Sequence, residues 1–266
     1  MAQKIRTEWY IREYRMKNGI CEKTKFPVRV EGEHPIRTSR EYKRQVRRAE
    51  KNATEAKNTA ARIVNNNFRA GLDMTDLLTY SEEGMERLVM KAGTDEEDEI
   101  HLAAKHELAL CIERARYACK KDGVELRYCA WTSDRDGTTG NPVRVHHHVI
   151  VNREGAEYIL RAWKLGEAKS KKLYSASHGD LTDFVEYLMA QTRQIGTEKR
   201  YMPSRNLEAP VATRPRLAKN PTAELRLPKG CSFIWRSEGH AGRPQKLRYY
   251  RPGITGEGEA DEETVP

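Results

Sequence analysis

Hydrophobic and polar positions divide the chain into stretches of period two and stretches of helical period. Residues 7–15 alternate and are rich in aromatics, Asn18-Gly19 signals a turn, and residues 26–30 form a short, partly apolar run whose Pro27 suits a sheet edge. From Ser39 to about Arg69 there is no Gly or Pro, and Ala, Lys, Glu and Arg dominate, so a helix is expected. Residues 72–80, ending Leu77-Leu78-Thr79-Tyr80, read as a strand, and the acidic segment 81–98 opens with a helix. Ile100, Ala104, Leu108, Cys111, Ile112, Ala115 and Cys119 recur at helical spacing and stop near Gly123. Residues 126–132 and 143–151 are alternating strands joined by a turn-rich loop, an antiparallel hairpin. Residues 156–163 form a short helix and 171–175 a strand. A further helix opens at Gly179-Asp180-Leu181-Thr182, capped by Asp180 or Thr182, and runs to about Arg193. Beyond Asn206 the chain is Pro-rich and irregular, and its end is expected to be disordered.

These elements predict an α+β fold with a central antiparallel sheet flanked by helices. Three regions follow: N-terminal strands and a basic helix over 1–64, a central domain over 65–210, and a C-terminal extension with an acidic tail over 211–266. The 266 residues are 33% charged. No apolar run approaches the roughly 20 residues that span a bilayer, and no membrane partner or signal peptide is expected, which places the protein in the cytosol. Five cysteines, widely spaced and without Cys-x-x-Cys, argue against a disulfide framework or a zinc knuckle.

Charge adds a partner class. The net charge is +9, but Glu257, Glu259, Asp261, Glu262 and Glu263 crowd the last ten residues, so residues 1–256 carry +14. Such a surplus favours a polyanion, most simply nucleic acid. Residues 37–69 hold ten basic side chains against three acidic ones. Arg44, Arg47 and Arg48 would lie along a phosphate backbone; a solvated helix face explains the same run equally well.

The chemistry centres on the strand Val143-Arg144-Val145-His146-His147-His148-Val149-Ile150-Val151. Alternation turns His146 and His148 to one face, roughly 7 Å apart at Cα, and His147 to the other. Two imidazoles held rigidly can be half of a divalent-metal site, although such a pair taken alone is more often a hydrogen-bonded or surface pair. On the last helix Asp183, Tyr187 and Gln191 share a face, with Phe184, Val185 and Leu188 on the buried side. A tyrosine there serves either as a packing residue or as a nucleophile. Beside a metal that grips a phosphodiester it becomes a competent nucleophile, although phenol ordinarily ionises only near pH ~10.

In combination and order, Leu77-Leu78-Thr79-Tyr80, a long helix, the His146-x-His148 strand and the Tyr187 helix resemble the HUH endonucleases. Within them the chain is most similar to the rolling-circle replication initiators of bacteriophages and small plasmids. Arg200-Tyr201-Met202-Pro203-Ser204-Arg205-Asn206-Leu207 resembles the closing motif of the phage-type proteins, and the resemblance covers residues 65–210. It implies a ferredoxin-like or RRM-like sheet and a Mg²⁺- or Mn²⁺-dependent nick at single-stranded or hairpin origin DNA in a bacterial host cell. Tyr187 would be joined to the 5′ phosphate and a 3′ hydroxyl left to prime synthesis. Relaxases, by contrast, place the tyrosine before the His pair, where only Tyr10 and Tyr14 are available. Many relatives carry a lysine or a second tyrosine four residues after the nucleophile. Here that position is Gln191, a residue able to hydrogen-bond phosphate, while Lys199, Arg200 and Arg205 are the cations implied to contact DNA. For the third metal ligand, implied on the preceding strand, Asp134 is the nearest acid, with Asp136 and Asp183 as alternatives. The 266 residues contain no Gly-x-x-x-x-Gly-Lys-Ser/Thr, so a host helicase and polymerase are implied partners. The competing readings are a HUH transposase or relaxase, a non-catalytic basic DNA-binding protein with structural histidines, and a structural zinc protein.

Overall fold

The computed structural model describes the backbone of residues 6–30, 41–196, 198–237 and 244–253, with the side chains of 6, 29, 30 and 41–51 left aside. The acidic tail therefore lies outside the described residues, as do the side chains of Arg44, Arg47 and Arg48. Among the described residues, eleven strands and five helices are arranged as α+β, with two antiparallel sheets. The chain forms two compact units, Lys57–Glu208 and, from the two ends, Met1–Ala56 with Ala209–Pro266. No helix among the described residues is long and apolar enough to cross a membrane.

In the first of these units, β3 (Met74–Thr79), β4 (Tyr128–Arg135), β5 (Pro142–Val151), β6 (Ala168–Lys172) and β7 (Met202–Pro203) pair in the order β6-β3-β5-β4-β7. The His strand β5 is thus central, flanked by β3 and by its hairpin partner β4. Strand alternation gives the sheet two different faces. On one, Leu78, Val149, Val151 and Ala130 join a core with Leu88 of α2 (Glu82–Ala92), Ala104, Leu108 and Cys111 of α3 (Glu97–Lys121), and Ile159 of α4 (Arg153–Ala162). The expected period of α3 is the buried stripe that packs there. The opposite face carries His146 and His148 and receives α5 (Thr182–Gln191).

The strand expected at 171–175 lies instead at Ala168–Lys172, paired with β3. Its Ala-Lys-Ser-Lys-Lys sequence has no apolar alternation to read, because it is an edge strand whose lysines are solvated.

The ends of the chain, expected as two separate regions, share the other sheet. β1 (Arg6–Arg15) and β2 (Ile20–Val30) form a hairpin, and β11 (Gln245–Tyr250) adds to β2, with β10 (Ser232–Arg236) beyond it. Short β8 (Val211–Ala212) and β9 (Arg216–Leu217) pair with β1 on the other edge. Pro27 falls just past Lys25, where pairing with β11 ends, so its missing N–H leaves no ladder bond unmade. Helix α1 (Glu41–Asn67) follows the hairpin.

Candidate functional site

Cross-strand register decides what faces the His pair. His146 stands opposite Thr79 on β3 and Ser133 on β4, and His148 opposite Leu77 and Trp131. The His146 Nδ1–H donates to the Arg144 carbonyl at 2.9 Å. That bond fixes the tautomer and leaves Nε2 as a free lone pair. His148 Nε2 is buried, with no hydrogen-bond partner among the described residues. Burial drives its pKa down to about 4, helped by neighbouring His146 and opposed by a contact from Gln191. Near neutral pH it is therefore an uncharged imidazole, the form that binds metal. His147, on the opposite face, is fully buried between the Tyr80 hydroxyl (2.9 Å) and Thr132 Oγ1 (3.1 Å), and burial holds it neutral. Its role is to anchor the sheet.

Helix α5 brings Tyr187 and Gln191 to the same face. At its start, Asn65 of α1 accepts from the Leu181 N–H at 2.9 Å, and Asp180 accepts from the Thr182 N–H at 2.9 Å. In the middle, the buried Trp131 indole N–H points at Met189 Sδ, 3.4 Å away. At its end, Arg200 donates to the Met189 and Thr192 carbonyls, satisfying acceptors that a helix leaves open. Tyr187 is 45% exposed, and its hydroxyl accepts from Gln191 Nε2 at 2.9 Å, one helical turn on. The Gln191 carbonyl oxygen is buried and has no partner among the described residues. Across the ring lies Gly137 of the β4–β5 loop, where a Cβ would stand 2.7 Å from Tyr187 Cε2. Glycine is needed there for close approach, and the hairpin loop and Gln191 together fix the ring.

Of the residues expected at the site, the structure brings together His146, His148, Tyr187 and Gln191. Asp134 is not among them. It follows Ser133 on β4, and one residue along a strand reverses the face, so its carboxylate meets His101 Nδ1 of α3 at 3.0 Å and Arg193 at 2.7 Å. Burial pushes its pKa up, but the His101 and Arg193 hydrogen bonds outweigh that and hold it below the ordinary carboxylate range. Asp136 is also spent elsewhere, capping the hairpin turn through the Thr138 and Thr139 N–H groups at 3.0 and 2.6 Å. Asp183 is exposed in the first turn of α5. Arg200, expected to touch DNA, is committed to the end of α5. Exposed Lys199 lines a small cavity with His101 and Lys105 of α3, and Arg205 is exposed in the turn after β7.

Pattern reading missed three contributors. Gly137 was visible only as a turn residue. Ser133 faces His146 with a buried hydroxyl that has no partner among the described residues. Lys169 aligns with Leu77 and hence with His148, on the His-pair face about 10 Å away across two strands, and ion-pairs with Glu167 at 2.7 Å.

No protein-family model, curated protein or solved structure matches the chain.

Among the described residues no cluster of three His, Cys, Asp or Glu side chains could hold a metal ion. A divalent ion nonetheless fits the face: the imidazoles of His146 and His148, with an amide oxygen and a hydroxyl oxygen that are buried and without a partner among the described residues. The oxygen donors suit Mg²⁺ or Mn²⁺, whereas imidazole is the ligand preferred by the later first-row ions. The set contributes no negative charge, so a phosphate would supply it.

Proposed function

We propose that the Lys57–Glu208 unit is a metal-assisted nickase of the HUH type, a rolling-circle replication initiator whose nucleophile is Tyr187. The observation that carries this reading is the Tyr187 hydroxyl hydrogen-bonded to Gln191, whose free carbonyl oxygen is buried against the His pair. His146, His148 and Gln191 would hold Mg²⁺ or Mn²⁺, with the amide taking the part first expected of Asp134. When bound, the ion would supply Lewis-acid polarisation of the scissile phosphate and offset charge building on its oxygens.

The chain's own residues do the rest. Gln191 and Gly137 hold the Tyr187 ring so that its Oη points one way. Tyr187 Oη attacks phosphorus, its proton passing to the solvent to which the ring is half open. The Oη–P bond forms as the P–O3′ bond breaks, and the departing O3′ takes a proton. The 5′ phosphate remains esterified to Tyr187, and the 3′ hydroxyl is free to prime a host polymerase. Exchange of one phosphodiester for another conserves the bond energy for rejoining. Lys169 would bear on the DNA backbone from the neighbouring edge strand.

The test mixes the full chain with labelled single-stranded circular DNA and Mn²⁺ and looks for a protein-linked DNA band under denaturing conditions. The band is expected to vanish with Tyr187→Phe, with His146→Ala/His148→Ala, or with a chelator. Gln191→Ala is expected to slow its formation about 10–100-fold, the usual cost of losing a group that orients or completes a metal site. Salt-sensitive DNA binding with no band on any DNA would replace this reading with that of a non-catalytic binding protein.

A further inference from the structure

The unit built from the chain ends contains a cavity of about 1300 Å³. Its floor is the face of β1 and β2 bearing Ile11, Glu13, Lys23 and Lys25, and its other side is edge strand β9 with the segment 218–228 that follows it. Seven cationic side chains line it against two carboxylates. Both carboxylates have cationic partners of their own. Glu13 is buried beneath Arg15 (2.8 Å), Lys23 (3.5 Å) and Arg251 (3.9 Å), and Glu224 is occupied by Arg236 at 2.8 Å. From the wall, Lys219 and Arg226 are exposed. The wall itself is tied down by a buried charge. Lys25, 2% exposed, donates through Nζ to the Pro221 and Ala223 carbonyls and lies over the Trp9 ring at 5.8 Å.

We infer that this cavity is a groove for the phosphate backbone of a single-stranded nucleic acid, in a different unit from the Tyr187 site. Charge selects the ligand: a concave surface lined by seven cationic side chains and two carboxylates, with Lys219 and Arg226 exposed on its wall, is matched by a run of phosphates. Size selects the strand, because small-molecule sites occupy about 300–1,000 Å³. The inference rests on the proposed function only in taking DNA as the strand.

The experiment measures binding of fluorescein-labelled oligo(dT) to the full chain by anisotropy across a salt series. It compares the parent protein, the exposed double variant Lys219→Ala/Arg226→Ala, and Tyr187→Phe. Loss of two phosphate contacts is expected to weaken binding roughly tenfold at about 0.15 M salt and flatten the log–log salt slope by about 1.4. Tyr187→Phe should bind as the parent does, and the double variant at saturating DNA should still form the covalent band. An unchanged affinity and slope in the double variant, with an unchanged melting curve, would overturn the groove. So would competition by a mononucleotide at phosphate concentrations well below those of the oligonucleotide, which would make the cavity a nucleotide pocket. If groove-dependent binding stands but no covalent band forms, the nickase reading fails and the groove survives.

Discussion

Asp76 stands on β3 opposite Val149, fully buried on the helix-covered face. Ser170 donates to its Oδ1, while Oδ2 has no partner among the described residues. Burial raises its pKa to about 7, and the Ser170 hydrogen bond only partly opposes this. The folded protein therefore binds a proton more tightly than the unfolded chain, whose aspartates titrate near ~3.9. Stability from this residue is full below that unfolded value, falls as pH rises from about 4 to about 7, and is level above. Asp76→Asn, which keeps the acceptor for Ser170 and cannot ionise, is expected to remove that slope. At pH ~8 it should stabilise the protein by about 1–3 kcal/mol, less than the full linkage figure because the buried amide also leaves polar atoms unmatched. Denaturant melts of both proteins at several pH values measure it; parallel pH profiles would refute the assignment. The neighbouring site shows how far single residues can be read. The shared face of His146 and His148 follows from period two alone. The residue opposite them does not, because it depends on hairpin register: Ser133, not Asp134, aligns with His146, and a slip of one exchanges the faces.

At the scale of the element, α5 shows the same division. Its position, its buried side and the Tyr187–Gln191 spacing are legible from helical period. Its end is not: the helix stops at Gln191, and Arg193 leaves to reach Asp134 and Asp98 near α3. The stop is made by Arg200, distant in sequence and indistinguishable there from a DNA-binding cation. Desolvation lowers its pKa, as expected of a guanidinium drawn in to serve carbonyls. Arg200→Ala should leave those carbonyls open and cost about 1–3 kcal/mol. Lysine, a single point of charge, should recover only part of that, since one donor group replaces a planar fork. Because Gln191 sits at the end so released, covalent-band formation should fall more steeply than DNA affinity. A variant that loses DNA affinity while keeping its melting temperature would return Arg200 to the phosphate contacts.

The whole molecule was the least legible scale. β10 and β11 lie in a stretch read as irregular, and β11 pairs with a β2 more than two hundred residues earlier, a relation that no local pattern encodes. Their partner makes them strands: Leu247 and Tyr249 are fully buried in a small core with Cys21 and Leu225. That core cannot exist without both ends of the chain, whereas the core under α2, α3 and α4 has its buried residues within 78–163 and the hydrophobics packed against it within 74–202. Two consequences follow. A chain of residues 41–208, which keeps α1 whole, should melt cooperatively and retain dispersed amide resonances. A chain lacking residues 209–266 should keep those resonances but lose the dispersion of residues 6–30, because β1 and β2 would then form an isolated two-stranded ribbon, marginal in water. Two-dimensional amide spectra of the fragment, the truncation and the full chain make the comparison. An unfolded 41–208 fragment would mean that the unit bearing Tyr187 depends on the terminal sheet for its stability. The proposed groove and the Tyr187 site could then not be separated by deletion, and only point variants would distinguish them.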